Sequence, residues 1–285
     1  MKKKKTSLGD WIFNIFLGLF FTLFTLICIY PFYYLIINTI SANDISANGQ
    51  IMFLPKGIHF QNYIDVFKIP DLASAALVSL GRTVLGTIGA VLGAAYLGFM
   101  FTQQKMWARK FWYRFTIITM YFNAGLIPWY ITMRNLHLTN NFLAYILPAI
   151  VQPFNIILVK TYMESISPAL QEAAEIDGAS VMKVFMKIML PLAKPIMATI
   201  AIFAAVGQWN SFQDTLILMT KPALYTLQFL LYQYINQASS LAAMIKNGTV
   251  ISTSSLATMQ TPTSIRMTVS VVVILPILLV YPFFQ

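Results

Sequence analysis

The chain has 285 residues, of which 58% are hydrophobic and only 10% are charged. A water-soluble domain carries about 25% charged residues, so most of this surface must face a solvent other than water, which disfavours a soluble enzyme. The net charge of +10 would favour a nucleic-acid partner if Lys and Arg alternated with aromatic residues on one face, but they do not. We therefore expect no nucleic-acid partner. One cysteine and two widely separated histidines exclude a disulfide framework and a cysteine-based zinc site, so we also expect no bound metal.

The N-terminal part predicts a membrane-spanning helix rather than a cleaved signal. Residues 2–5 are lysines, and residues 11–40 contain no charge. A secretory signal has an apolar region of about 7–15 residues, whereas this one is long enough to cross roughly 30 Å of hydrocarbon. We predict that it is a permanent first span, bent at Pro31.

Five further stretches of about 18 or more residues lack charge, and each is a candidate span. They are residues 83–101, 115–133, 142–159, 196–213 and 267–285. Backbone polar groups in lipid must be paired within a segment, and the strict alternation of a transmembrane barrel is absent. The sequence therefore predicts an all-α polytopic membrane protein with six transmembrane helices, forming one domain over residues 1–285.

The basic residues predict the orientation. With the N-terminus in the cytoplasm, twelve Lys and Arg fall in the inner segments and six in the longer outer ones, and positive residues favour the cytoplasmic side. Both termini are therefore expected inside, with the positive charge facing anionic membrane lipid. Arg82, near the outer end of the second span, should pair with an acidic residue or extend outward. The outer segments 41–71 and 221–262 are long loops, and we expect them to bind a partner.

The inner segment 160–194 predicts a compact protrusion. Ser167 and Pro168 are typical of a helix start, and Gly178 can close that helix in the left-handed conformation. Ser180 can cap a second, amphipathic helix that ends near Pro191. A short helix, a glycine elbow and an amphipathic helix would fit a groove on another protein.

This inner segment also resembles a known family. Residues 172–179, Glu-Ala-Ala-Glu-Ile-Asp-Gly-Ala, followed by Phe185 and by Leu-Pro-Leu-Ala-Lys-Pro at 190–195, resemble the EAA loop of permease subunits in binding-protein-dependent ATP-binding-cassette (ABC) importers. Residues 122–128, the Trp209-Asn210 pair and residues 275–285 are similar to the carbohydrate-uptake branch. Within that branch, the chain is similar to the second permease of polysaccharide and complex-oligosaccharide systems and to the smaller maltose permease subunit.

The resemblance implies a type I ABC importer permease fold that moves an oligosaccharide across a bacterial cytoplasmic membrane. The implied partners are a second permease in a heterodimer, two cytoplasmic ATPase subunits and an extracellular sugar-binding lipoprotein. The first helix of the EAA loop would contact the ATPase subunit, because small residues allow close approach and carboxylates can pair with basic groups. The residues carried over for this contact are Glu172, Ala173, Ala174, Asp177 and Gly178.

The chain should not itself be an enzyme. It contains no G-x-x-x-x-G-K-[ST] motif, so ATP and Mg would be used by the partner ATPase subunit, and no cofactor is expected on this chain. The alternative is a self-contained secondary transporter, which should place ionisable residues in mid-membrane and show two related halves. The six predicted spans contain no Asp, Glu or Lys, and no repeat is found. An ABC importer for a non-sugar solute is a further alternative.

Sugar hydroxyls favour amide and aromatic partners along a transport path. The fifth span offers Gln208, Trp209, Asn210 and Gln213, and the third span offers Asn123 and Tyr121 as weaker candidates. For each of these residues, a hydrogen bond between helices is the alternative.

Small residues on one side of the second span predict close helix packing. They are Gly86, Gly89, Ala90 and Gly93. Whether they pack within the chain or against the second permease is left open by the sequence.

Overall fold

The computed structural model describes residues 8–246 and 266–278, and every regular element in these ranges is helical. The α-helices are α1 Leu8–Thr39, α2 Asn43–Ala47, α3 Gln61–Phe67, α4 Leu72–Thr102, α5 Arg109–Tyr121, α6 Leu126–Asn135, α7 Leu147–Ile150, α8 Pro153–Glu164, α9 Pro168–Ile176, α10 Val181–Val184, α11 Leu190–Leu192, α12 Lys194–Asn210, α13 Gln213–Leu218, α14 Leu227–Lys246 and α15 Arg266–Leu278. Two 3-10 helices cover Phe142–Tyr145 and Pro222–Leu224, and a π-helical turn covers Phe185–Met189.

Three helices in the described part of the chain are long and apolar enough to cross a membrane: Gly9–Thr39, Leu72–Thr102 and Phe142–Glu164. The bent pair Val181–Leu192 and Lys194–Asn210 gives a fourth if it is counted as one span. The apolar helix α15 is shorter, and residues 279–285 of the sixth predicted span lie outside the described residues. The all-α membrane class is confirmed, while the number of six spans and the cytoplasmic termini remain predictions.

The described residues form two compact units. One contains those within Met1–Ile69 and Tyr234–Val272, and the other contains those within Pro70–Gln233 and Val273–Gln285. The single domain over residues 1–285 remains a prediction.

The first predicted span is a helix of 32 residues that passes through Pro31 without interruption. Beyond it, the predicted outer loop 41–71 is ordered by buried polar side chains. Ser46 Oγ donates to Asn38 Oδ1 at 2.7 Å, and Asn62 Nδ2 donates to the backbone oxygen of Thr39 at 2.9 Å. These bonds fasten α2 and α3 to the C-terminal end of α1, so this segment is a folded cap rather than an open loop.

The third predicted span is interrupted, which corrects the expectation of one helix over residues 115–133. Helix α5 ends at Tyr121, and α6 begins only at Leu126. Between them, Asn123 Oδ1 accepts a hydrogen bond from the Gly125 N–H at 2.9 Å, and Gly125 has a φ of 90°. An Asn side chain that hydrogen-bonds the nearby backbone competes with the hydrogen bonds of a helix. A residue with a positive φ, such as Gly125, is outside the conformation of a right-handed helix.

The fourth predicted span lies within the apolar helical stretch Phe142–Glu164, which is locally interrupted between α7 and α8. Gln152 is extended (φ −109°, ψ 107°) because it precedes Pro153, and proline disfavours the helical conformation of the residue before it. The break exposes backbone at Ile150, and α4 packs against this position through its glycines. A Cβ atom on Gly93 would lie 2.3 Å from the Ile150 oxygen.

The small residues of α4 therefore serve packing within the chain. A Cβ atom on Gly86 would lie 2.5 Å from Gln208 of α12, and one on Gly98 would lie 2.7 Å from Val159 of α8. Ala90 is buried. Helix α4 is thus held in close contact with both α8 and α12, and the question that the sequence left open is answered for these positions.

The chain bends by 77° at Ala193, between α11 and α12 and just before the fifth predicted span of residues 196–213. Pro195 is the second residue of α12. The N–H group at this position has no partner within a helix, so a proline there removes no helical hydrogen bond. Helix α12 ends at Asn210, and α13 follows after two residues, so the expected helix over residues 196–213 is shorter than predicted.

The second predicted outer loop, 221–262, contains helix α14 over Leu227–Lys246, where the sequence predicted a polar loop. Residues 247–262 of that loop lie outside the described residues.

Candidate functional site

The EAA segment, which we define as residues 167–180, has the predicted helix and elbow. Ser167 precedes Pro168 at the start of α9, although the Ser167 side chain makes no capping hydrogen bond. At the other end, the N–H groups of Gly178 and Ala179 donate to the oxygens of Glu175 and Ala174 at 3.0 and 2.9 Å. This pair of bonds, with a φ of 75° at Gly178, closes the helix as the sequence predicted.

One face of α9 is fastened to the C-terminal end of α4. Gln171 Nε2 donates to Gln103 Oε1 at 3.0 Å, and Lys105 Nζ lies 2.8 Å from Glu175 Oε2. The hydrogen bond from Lys105, followed by that from Gln171, lowers the pKa of Glu175 below its ordinary value. Ala174 is buried on the same side, so its small size lets α9 approach the body of the protein.

The opposite face of α9 projects away from the rest of the chain. Glu172, Ala173, Asp177 and Gly178 are exposed, as is Ile176, whose relative exposure is 86%. Of the five residues predicted to contact an ATPase subunit, four therefore lie on the outward face and Ala174 does not. Ile176 was not among them.

The segment after the elbow anchors the protrusion. Ser180 Oγ accepts a hydrogen bond from the Lys183 N–H, as predicted. The π-helical turn buries Phe185 against Phe99 of α4, with ring centroids 4.9 Å apart. The sequence did not predict a π-helical turn. Because α9 bonds to residues directly after α4 and the π-helical turn packs against α4 itself, residues 167–189 are held to this helix at two places.

A second feature is a cavity of about 380 Å³ between α4, the α7–α8 segment and α12. Its volume falls within the range of roughly 300–1,000 Å³ that is typical of small-molecule sites. The aromatic rings of Trp129, Tyr145 and Phe203 form part of its wall, and Gly207 contributes open space. The cavity therefore combines ring faces with room for a ligand.

Among the described residues, Arg82 and Asp214 are the only charged ones that line the cavity, and they are paired. Arg82 Nη2 lies 2.6 Å from Asp214 Oδ2, and the Arg82 residue has a relative exposure of only 2%. Its five N–H groups make five hydrogen bonds: two to Gln208 Oε1, two to the Asp214 carboxylate and one to the Ser211 oxygen. Of the two alternatives that the sequence left for Arg82, the structure shows pairing with an acidic residue rather than extension outward.

Three polar groups in the cavity wall keep unused hydrogen-bonding capacity. Asn155 is 8% exposed, yet its amide has no hydrogen-bond partner among the described residues. Gln152 Nε2 donates to the Pro148 oxygen at 3.2 Å, while its Oε1 accepts nothing from the part of the chain described. Trp129 Nε1 likewise has no acceptor among these residues. Of the three residues, Gln152 is exposed and Trp129 is partly exposed, whereas Asn155 is buried, so the open amide of Asn155 in particular favours a polar ligand.

Among the predicted path residues, those of the fifth span make hydrogen bonds within the chain. Gln208 holds Arg82 and donates to the Tyr145 oxygen at 3.1 Å. Trp209 Nε1 donates to the Val273 oxygen at 3.1 Å, and Asn210 Oδ1 accepts from Gln228 at 3.1 Å. Only Gln208 of these lines the cavity.

The other three predicted path residues lie apart from the cavity wall. Gln213 is exposed at the start of α13, and Asn123 bonds the Gly125 backbone. Tyr121 ends α5 with a relative exposure of 79%. The structure brings none of the three together, and their role in transport remains a prediction.

The sequence did not predict a role for three residues of the cavity wall. Trp129 lies in α6, and Gln152 and Asn155 lie in the fourth predicted span. Gln152 and Asn155 gave one available signal, since two amides lie in an otherwise apolar stretch. No group of three or more His, Cys, Asp or Glu that could hold a metal ion occurs within residues 8–246 and 266–278.

This chain is similar to several known proteins. It is 29% identical over 274 residues to the polygalacturonan/rhamnogalacturonan transport system permease protein YtcP of Bacillus subtilis, covering 96% of this chain and 94% of YtcP. It is 33% identical over 259 residues to protein LplC of the same organism, covering 91% of this chain and 85% of LplC. A chain in the crystal structure of a bacterial ABC transporter involved in the import of the acidic polysaccharide alginate matches with a TM-score of 0.85 and 27% identity, over 99% of both chains.

A family model described as the binding-protein-dependent transport system inner membrane component matches residues 86–285. The match includes the EAA segment and the cavity-lining residues from Ala90 onward, and it agrees with the apolar helices of the described residues. The chain is therefore a multi-pass membrane protein that belongs to the family of inner membrane components of binding-protein-dependent transport systems, the permeases of ABC transporters.

Proposed function

We propose that this chain is one of two permease subunits of an ATP-driven importer that moves an oligosaccharide across the bacterial cytoplasmic membrane. The observation that carries the proposal is the EAA segment. Its inner face is bonded to α4, while its outer face exposes two carboxylates, a small residue and Ile176. A rigid helix with an exposed mixed face is suited to a socket on a second protein.

The proposed assembly contains a second permease, two cytoplasmic ATPase subunits and an extracellular sugar-binding lipoprotein. The dependence on a binding protein is part of the family description. ATP and Mg are used by the ATPase subunits, and this chain is a non-catalytic component, in keeping with its lack of a phosphate-binding loop motif.

The oligosaccharide cargo is supported by two observations. YtcP is named for polygalacturonan and rhamnogalacturonan transport, and the similar solved structure is of an alginate importer. The cavity of this chain also offers amides and aromatic rings, which suit sugar hydroxyls and ring faces. These observations favour sugar over a non-sugar solute, and the ABC family match does not support a self-contained secondary transporter.

Helix α4 connects the EAA segment with the cavity. Gln103 and Lys105 follow its C-terminal end and hold α9, while Arg82 and Gly86 lie toward its other end beside the cavity. A displacement of α9 by an ATPase subunit would therefore act on a helix that also forms the cavity wall.

The experiment is a deletion of the gene for this chain in its own host, followed by complementation. Oligosaccharide uptake is measured in cells whose ATP is depleted while the ion gradients are kept, and in cells with the opposite treatment. We expect uptake that requires the chain and ATP. Uptake that continues without ATP and stops when ion gradients are dissipated would contradict the proposal.

A further inference from the structure

We propose that the cavity beside Asn155 is a binding site for an uncharged sugar unit, so that the cargo is a neutral rather than a uronate-containing oligosaccharide. This inference rests on the proposed function and adds the class of substrate and the residues that meet it. It differs from the substrates named for YtcP and for the alginate importer, which are acidic polysaccharides or contain them.

The charge of the cavity wall is the first step. Within residues 8–246 and 266–278, Arg82 and Asp214 are the only charged residues that line it, and they neutralise each other. All five Arg82 N–H groups are already bonded within the chain, so no guanidinium donor remains for a ligand carboxylate. A uronate in this cavity would meet a carboxylate and no free cation, and burying an unpaired charge is expensive.

The unused polar groups are the second step. Asn155 supplies a donor and an acceptor, Gln152 supplies an acceptor, and Trp129 supplies an indole N–H. Sugar hydroxyls both donate and accept, so they can satisfy all three groups without any charge. Asn155 is the strongest of the three, because it is more than nine-tenths buried and has no partner among the described residues.

The shape of the cavity is the third step. Trp129 and Phe203 offer ring faces, whereas the ring of Tyr145 is covered by the Arg82 guanidinium at 4.4 Å. Aromatic faces pack against the apolar C–H faces of sugar rings while hydroxyls reach the amides. Gly207 keeps the space open, since no atom lies within 4 Å of a Cβ atom built on it.

The test begins with the substrate class. Cells with and without the chain receive two sets of unlabelled tri- and tetrasaccharides: a neutral set from arabinan, xylan, galactan and β-glucan, and an acidic set from polygalacturonate and alginate. Loss of each sugar from the medium is followed by mass spectrometry. We expect chain-dependent uptake within the neutral set only. Chain-dependent uptake of an acidic sugar overturns this inference but supports the proposed function, and uptake of neither set overturns the proposed function itself.

Variants then test the cavity with the neutral sugar that is taken up. Asn155→Leu keeps the side-chain size and removes the amide, so the maximal uptake rate should fall about three- to tenfold, while Asn155→Gln should retain more transport than Asn155→Leu. Gly207→Leu fills open space and should lower the rate of tetrasaccharide uptake more than that of trisaccharide uptake. The maximal rate is the relevant quantity because an external binding protein governs capture at low concentration.

The matched control is Gly18→Leu. Gly18 also has no atom within 4 Å of its Cβ position, but it lies in α1 and does not line the cavity. Each variant is compared at equal abundance in the membrane. Wild-type uptake rates in both Asn155→Leu and Gly207→Leu would assign the sugar to another surface and overturn the inference.

Discussion

The EAA segment and the cavity are built in opposite ways. The EAA segment is continuous in sequence, and the closure of its helix by Gly178 and Ala179 depends on neighbours in the chain. The cavity gathers residues from helices that are distant in sequence, from α4 to α13, and its ion pair joins residues 132 positions apart. Local features produce the exposed helix of the EAA segment, whereas long-range packing produces the cavity.

The largest expected effect comes from breaking the ion pair of the cavity. Asp214→Ala would leave Arg82 buried without its carboxylate, which should lower the free energy of unfolding by about 3–5 kcal/mol. The double variant Arg82→Met with Asp214→Leu removes both charges and should recover most of that loss. Thermal unfolding of the purified chain in detergent measures both. Equal stability of the single variant and the wild type would show that long-range packing does not depend on this pair.

The second prediction concerns the contact of α4 with the broken fourth span. Gly93→Ala places a Cβ atom against the Ile150 oxygen, so it should destabilise the chain by about 1–3 kcal/mol. Gly18→Ala, in open space, should not destabilise it, because alanine favours a helix more than glycine does. The same unfolding assay compares the two, and an equal effect of both changes would argue against close packing at Gly93.

The third prediction concerns the elbow of the EAA segment. Gly178→Val imposes a β-branched residue on a φ of 75°, which should cost about 1–2 kcal/mol locally and change the direction of α9. We expect the spans to insert normally while co-purification of the ATPase subunit and sugar-stimulated hydrolysis are lost. Gly178→Asn, which tolerates the left-handed conformation better, should be milder. Full ATPase recovery with Gly178→Val would contradict the role of the elbow.

The smallest effect concerns pH. The hydrogen bond from Lys105 lowers the pKa of Glu175, so the ionised carboxylate stabilises the docking of α9. This contribution is fully present above the ordinary value of 4.5 and is lost as the pH falls through the lowered pKa. The mobility of a spin label at position 172, in a Cys28→Ser background, should therefore rise only below pH 4.5.

Lys105→Met provides the control for that titration. Without the ammonium, the midpoint of the mobility change should move upward toward 4.5. An unchanged midpoint would show that Lys105 does not set the protonation of Glu175.

The sequence predicted the parts of the molecule that depend on neighbouring residues. The first span, the Ser180 cap and the left-handed Gly178 follow from apolar length, capping and glycine chemistry, and all three occur in the structure. Asn123 and Gly125 also indicate a helix break from local sequence. The prediction of one continuous span over residues 115–133 was based instead on the apolar length of that stretch.

The cavity could not be predicted in the same way. Gln208 was selected as a path residue because it is polar within a span, yet its amide is bonded to Arg82 and Tyr145. Asn155 is equally polar, and only the folded chain distinguishes an amide with partners from an amide without them. That distinction depends on which helices pack against each other, and it cannot be predicted from composition or residue spacing.

The most direct test of the central claim, that the outward face of α9 contacts a separate ATPase subunit, is a cross-linking pair. In the Cys28→Ser background, Ile176→Cys places a thiol on the outward face and Ala174→Cys places one on the face buried against the body. Membranes are treated with a short thiol-to-amine cross-linker and probed for the ATPase subunit. We predict an adduct with Ile176→Cys and none with Ala174→Cys. No adduct from either, or equal adducts from both, would contradict the account.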